Sequence, residues 1–274
     1  MEIICGVKNI KEALWAFNNG VDEVYFSYRI IPNHRRSELS VQSYRECVSI
    51  IKLAKKLNKK SALVYNGDDA NYSIEHIKNN LYPLIKSFES YGLSAIIIRD
   101  EILLRILTEM GLKIGFNISS LSLLFNTFSL DFCSRYNIKR VVFPLHLTYY
   151  ETSTVLEKVR KLGIETEFFY YPSHNCQNID PLCKFCDFEN KGCKVVYNEN
   201  FFMPIPSLSY MARHFYYNFI YGIDFIKVAR SFDFKKTRES VNNIKEFMEF
   251  IEKGASLKDF LKKFVTKAKI RIEV

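Results

Sequence analysis

Four cysteines, Cys176, Cys183, Cys186 and Cys193, fall within one short stretch of the chain in the pattern C-x6-C-x2-C-x6-C. Thiolate is a soft ligand, and four of them in one segment suit either a tetrahedral zinc site or an iron–sulfur cluster. The C-x2-C core puts two sulfurs on one turn, and the six-residue arms are long enough to bring the outer pair back to the same centre. On spacing alone zinc and iron–sulfur stand level. A disulfide pair is disfavoured by a reducing compartment, which the amino terminus suggests: Met1-Glu2-Ile3-Ile4-Cys5 has no basic start before an apolar stretch, so no signal peptide is read and a cytoplasmic location is expected.

The remaining cysteines read differently. Cys47 and Cys133 fall on apolar helical faces and Cys5 ends an apolar run, so each is expected to be a small buried hydrophobe. Of five histidines (34, 76, 146, 174 and 214) only His174 lies beside the cysteine cluster, where it could give a proton or a hydrogen bond; a solvated loop position is the plainer reading. Arg35 and Arg36 follow an apolar run and could grip a carboxylate or phosphate, or lie solvated in a loop. Asn66, Asp68 and Asp69 follow another such run, and Asn117, Ser119 and Ser120 a third. Asn66 and Asn117 are the expected substrate contacts, while the aspartates and serines also suit turns and helix caps. No HExxH or GxSxG pattern occurs, so no protease constellation is readable.

These residues need a frame, and the chain alternates short β-rich runs with helical stretches. Strands are expected at residues 3–5, 23–27, 61–65, 94–98, 113–117, 140–143, 165–171 and 224–229. Helices are expected at 11–18, 43–57, 73–91, 101–110, 121–136, 148–162, 208–221, 236–253 and 257–265. Eight strands separated by helices indicate parallel βαβ units, and eight units predict a closed (β/α)8, TIM-like barrel. The absence of a glycine-rich loop after any strand argues against a dinucleotide-binding sheet. The cysteine-rich loop, residues 172–197, follows the seventh strand and so belongs to the carboxyl-end face, where barrel active sites are built. Nothing reads as a linker, so residues 1–274 form one domain with a basic helix and tail at 254–274.

With 48% hydrophobic and 25% charged residues the chain can fill a large core, and only 10 glycines and 7 prolines exclude a collagenous or linker-rich protein. No apolar run reaches the roughly 18 residues of a membrane helix. The net charge of +9 favours an acidic partner, such as nucleic acid or an anionic metabolite, although biased codon usage would produce it equally well.

Several segments, in order, resemble peptidase family U32, the collagenase-like peptidases. The stretch from Asn19 to Phe26 is similar to the family's opening GADAVYLG strand. Ile96 to Asp100 resembles its IVxD strand end and Arg140 to Phe143 its RVVL strand. Cys176-x6-Cys183 followed by Lys191-Gly192-Cys193 resembles C-x6-C…RGxC, and Gly222 to Arg230 resembles GIxSLKIEGR. The resemblance implies a TIM-like barrel with a [4Fe–4S] cluster on four cysteines, zinc remaining the alternative. It also implies oxygen-independent hydroxylation or a related modification of an aromatic ring or nucleobase, so that a small aromatic substrate or RNA is expected rather than a peptide. The alternatives are a non-catalytic metal-stabilised subunit of such an enzyme, and a peptidase. Where relatives often have a further cysteine after RGxC, this chain has Lys194 to Tyr197, which makes Cys186 the fourth ligand.

The short single-barrel length resembles the family's paired hydroxylation subunits, which implies a second U32-type subunit as partner. At the carboxyl end Leu257, Phe260, Leu261, Phe264 and Val265 recur at helical spacing among Lys258, Lys262, Lys263, Lys267 and Lys269. That amphipathic helix either caps the barrel or docks a partner.

Overall fold

A computed structural model describes residues 1–33, 37–67, 73–122, 126–144, 147–170, 186–187, 192–193 and 207–272. Eight strands run parallel in a closed barrel: β1 (Glu2–Gly6), β2 (Glu23–Ser27), β3 (Lys60–Tyr65), β4 (Ala95–Ile98), β5 (Gly115–Ile118), β6 (Ile138–Val142), β7 (Glu165–Phe169) and β10 (Phe225–Val228). The ring closes where β10 inserts between β7 and β1, with Cys5 beside Val228 and Lys227 beside Phe169. β8 (Cys186–Asp187) and β9 (Gly192–Cys193) form a separate antiparallel pair. All eight expected barrel strands are present, their ends shifted by a residue or two.

The barrel separates two cores because successive side chains on a strand point to opposite faces. Ile4, Tyr25, Ala62, Val64, Ala95, Ile97 and Phe225 face the axis in one cluster. Their neighbours, such as Cys5, Phe26, Leu63, Ile96 and Phe168, pack outward under the helices.

The helices are α1 (Ile10–Asn18), α2 (Tyr44–Lys56), α3 (Ile74–His76), α4 (Tyr82–Tyr91), α5 (Glu101–Glu109), α6 (Tyr149–Lys161), α7 (Leu208–Ile220), α8 (Phe234–Glu252) and α9 (Leu257–Ile272). Side-chain caps start most of them at the carboxyl ends of the strands. Asn9, Ser43, Asp100, Ser207 and Asp233 each accept a hydrogen bond from a first-turn N–H, and Thr148 with Glu151 forms a capping box. Gly92, at φ +107°, ends α4 in the left-handed conformation that costs glycine least.

Two helices differ from expectation. Residues 73–91 are not one regular helix, because a π turn at Ile77–Leu81 separates α3 from α4. Pro83 lacks the N–H that would bond the carbonyl four residues back, so the ladder widens there. Residues 121–136 form 3-10 turns at Ser120–Ser122 and Phe128–Arg135 instead of an α-helix. Asn126 Oδ1 accepts from the N–H groups of both Phe128 (2.9 Å) and Ser129 (3.0 Å), an alternative to the helical ladder that short polar side chains offer.

The apolar face of α9 is occupied within the chain. Phe260 stacks on Phe215 of α7 with centroids 5.6 Å apart, and Phe264 stacks on Phe247 of α8 at 5.1 Å. The basic helix therefore caps the outer layer, with Phe260 and Phe264 buried in it. Among the described residues, no helix is long and apolar enough to cross a membrane.

Candidate active site at the carboxyl end of the barrel

The interior of the barrel is ionic, against the rule that parallel strands are apolar on both faces. Arg140 on β6 reaches across the axis. Its Nη2 donates to Glu23 of β2 and to Glu165 of β7 (both 2.9 Å), its Nη1 to Glu167 (3.1 Å), and its guanidinium lies 3.5 Å from the ring centroid of Phe225. Lys227 on β10 donates to the other oxygen of Glu167 at 2.7 Å and sits 4.3 Å over the ring of Tyr25. The small interior residues Ala62 and Ala95 on β3 and β4 leave room for these long side chains.

Burial pulls the Arg140 pKa down, but the carboxylates of Glu23, Glu167 and Glu165 outweigh it, so the net shift is upward. Glu167 is pushed up by burial and pulled further down by Lys227 and Arg140, ending below the usual carboxylate value. Glu23 goes the other way: burial dominates the attraction of Arg140, and one of its oxygens is buried without a partner. The network thus plugs the barrel, and Glu23 holds a proton more readily than its buried neighbour Glu167.

Above the plug the mouth is polar. Asn66, following β3, donates from Nδ2 to Ser119 Oγ at 3.3 Å, a bond that passes over the end of β4. Asn117 lies one layer deeper on β5, beside Ile97 and Arg140 in register. Both expected contacts therefore meet at one mouth, Asn66 at the rim and Asn117 beneath. On the far side Arg230, just past β10, grips Glu12 of α1 through Nε (3.1 Å) and Nη2, which fastens the first helix to the last strand.

Cys186 and Cys193 are brought together by backbone: β8 and β9 pair them directly across the antiparallel ladder. Opposed Cα atoms in such a pair are about 4.5–5.5 Å apart, close enough for both residues to serve one centre. The segment joining β7 to α7, which contains them, leaves and re-enters the fold at the mouth. Cys176, Cys183, His174 and Arg35 lie outside the described residues, as do His34, Arg36, Asp68, Asp69 and His146. Among the described residues no group of His, Cys, Asp and Glu is arranged to hold a metal. Cys5 and Cys47 are buried as expected, and burial pushes the Cys47 thiol up to about 12, far from the thiolate a metal needs. For Cys133 the side chain is outside the described set.

The ionic plug is what the sequence reading missed. Its signal is a charge at the inward phase of an apolar strand: Arg140 before Val141-Val142, Glu167 before Phe168, Lys227 between Ile226 and Val228.

The family model of peptidase family U32 matches residues 8–183, well over half of the chain. The chain belongs to peptidase family U32. The match ends at Cys183, so the last two cysteines of this U32 protein lie beyond it. In structure the chain is similar to the U32 peptidase Mk0906, with 10% identity and a TM-score of 0.55 over 84% of this chain and 93% of that one. It is also similar to the homocysteine methyltransferase MmuM from Escherichia coli, with 9% identity and a TM-score of 0.50 over 90% and 95%. At such identities these likenesses show the barrel fold alone. No curated protein matches the sequence.

Proposed function

We propose that this U32 barrel is an iron–sulfur protein taking part in oxygen-independent hydroxylation, or a related modification, of an aromatic ring or nucleobase. The observation that carries the reading is the set of four cysteines in the connection between β7 and α7, with Cys186 set opposite Cys193 across β8 and β9. The donor set fits: four soft thiolates suit a [4Fe–4S] cluster, with zinc the alternative. Cys176, Cys183, Cys186 and Cys193 would hold it, and when bound it supplies one-electron chemistry next to the mouth. The chain's own residues do the rest. Asn66 and Ser119 bridge the rim, Asn117 offers its amide from below, and the Arg140 network closes the barrel so that substrate stays at the carboxyl end. Arg35 and His174 are further residues assigned to substrate.

A second reading is a metal-stabilised subunit that completes the site of a second U32-type barrel, a partner for which the charge of +9 would favour an acidic surface. A peptidase is less well supported. Of the described histidines, His214 is packed against Phe168, bonded to Asn218 and has its pKa lowered by burial to about 4, and His76 lies half-buried in α3 beside Asn80. Both have structural surroundings and not those of a base activating a nucleophile.

The single-serine series tests the ligand set. Serine at position 176, 183, 186 or 193 should each strip iron and sulfide from anaerobically purified protein, because a three-thiolate remnant holds metal poorly. Cys5→Ser, Cys47→Ala and Cys133→Ala should keep full content. Retention in Cys186→Ser together with loss in Cys47→Ala would overturn the assignment.

A further inference from the structure

Among the described residues, two donors at the end of β5 have no acceptor. Asn117 is 2% exposed, and its Nδ2 is fully buried without a hydrogen-bond partner. Ser119, also buried, accepts at Oγ from Asn66 Nδ2 and from Leu121 N–H, both at 3.3 Å. A hydroxyl has two lone pairs and one proton. Both lone pairs of Ser119 are therefore taken, and among the described residues its proton meets no acceptor. Buried donors are almost always satisfied in native proteins, so two orphans side by side point to a group that comes from outside the chain.

The two donors share one face. Phe116 and Ile118 belong to the outer core, so Asn117 faces the axis, and Ser119 follows two residues on in the same phase. Ser119 N–H donates to the Ile98 carbonyl at 2.7 Å, which continues the pairing of Ile98 with Ile118 and keeps that phase past the end of the strand. Residues two apart on a strand are about 7 Å from each other, so the donors address two separate atoms of a ligand. Beside Asn117 in register, Ile97 of β4 faces the axis and gives an apolar flank for the face of a ring. Both donors are uncharged. The cations of the barrel interior are already balanced, Arg140 by Glu23, Glu165 and Glu167, and Lys227 by Glu167. A buried anion would need a cation of its own, so the acceptors that fit this pair are neutral.

We propose that Asn117 and Ser119 hold a ring by donating to two neutral acceptor atoms on its edge, as a six-membered ring with two carbonyl oxygens presents them. The inference rests on the function proposed above, in which the ring to be modified is bound at this mouth, and not on the identity of the metal centre. A ring that has hydroxyls in place of the carbonyls satisfies the pair poorly, because a phenolic oxygen is the weaker acceptor.

Ligand-observed NMR titration of the full-length protein with uracil, duroquinone and resorcinol tests it. Uracil and duroquinone each have two ring carbonyls, one on a heterocycle and the other on a carbocycle, and resorcinol has two hydroxyls. The wild type should bind at least one carbonyl probe saturably, about tenfold or more tighter than resorcinol. Binding of uracil alone identifies a base-like ligand, and binding of duroquinone alone a quinone-like one. Asn117→Leu and Ser119→Ala should each erase about tenfold of that preference, the loss expected when a buried hydrogen bond goes unmade. A change that only loosened the mouth would weaken all three probes alike. Lys161→Gln, on the outer surface of α6, should keep the wild-type preference. If Asn117→Leu fails to fold, Ser119→Ala carries the comparison, with thermal melting as the check on its fold. Absence of saturable binding by both carbonyl probes, resorcinol binding as tight as theirs, or an unchanged preference in folded Ser119→Ala would overturn the proposal. Iron content read on the same samples separates the two claims: carbonyl-selective binding without iron leaves this site standing and removes the cluster, and iron without such binding does the reverse.

Discussion

Arg140→Met should be among the most damaging single substitutions in the barrel. Met is similar in length but carries no charge, so the change removes four hydrogen bonds to three carboxylates while filling much of the same space. Glu165 is 40% exposed, so its part is screened and worth no more than about 1 kcal/mol. Glu167 keeps Lys227 at 2.7 Å. The main loss falls on Glu23, which is left in the interior without the guanidinium that balances it. Removing one partner of a buried ion pair costs about 3–5 kcal/mol, a large share of the roughly 5–15 kcal/mol that holds a domain together. Urea unfolding followed by circular dichroism would show the midpoint falling accordingly at pH 7. The penalty should shrink at lower pH, where Glu23 takes up a proton. In the double variant Glu23→Leu with Arg140→Met, part of the loss should be recovered, because the stranded charge is gone. A cost under about 1 kcal/mol for Arg140→Met, or a double variant as unstable as the sum of its parts, would refute the picture of a coupled ionic plug.

Three more outcomes follow from the same structure. Glu23 has its folded pKa raised above the ordinary 4.5, so its contribution is present below that value and lost as pH rises through the folded pKa; Glu23→Gln should therefore gain stability relative to wild type as pH rises above 4.5, and a constant difference in pH-dependent melts would contradict this. Glu167, lowered, has the opposite sign: the cost of Glu167→Gln should be largest above about pH 4.5 and fade as pH drops through its folded value, a trend readable in the same melts. Phe260→Ala should cost about 3–5 kcal/mol in urea unfolding by emptying the contact among Phe215, Phe247 and Phe264, whereas a neutral result would mean that α9 is not part of the fold's core.

Much of the fold was legible because buried parallel strands announce themselves as apolar runs at regular intervals. Ala95 to Ile98 and Ile138 to Val142 lie within two residues of where their hydrophobic pattern put them. Helix type was less legible. The apolar content of residues 121–136 suits a helix, but Asn126 turns its amide on the local backbone, a competition that periodicity does not record. The plug was hidden for a different reason. Glu23, Arg140, Glu167 and Lys227 are far apart in sequence and meet only when β10 closes the ring beside β1, so their charges look like isolated exceptions until the register is known. At the mouth, strand-end logic found Asn66 and Asn117, but not that one is bonded to Ser119 while the other has no partner. The cysteine spacing named four candidates, and the backbone adds that Cys186 faces Cys193 across β8 and β9.

The most direct test of the proposed function is the metal content of wild-type protein purified without oxygen, with iron, acid-labile sulfide and zinc measured per chain. An iron–sulfur U32 barrel should be brown and contain iron and sulfide in equal amounts, about four of each per chain. A colourless protein with one zinc per chain, no sulfide and unchanged stability would contradict it.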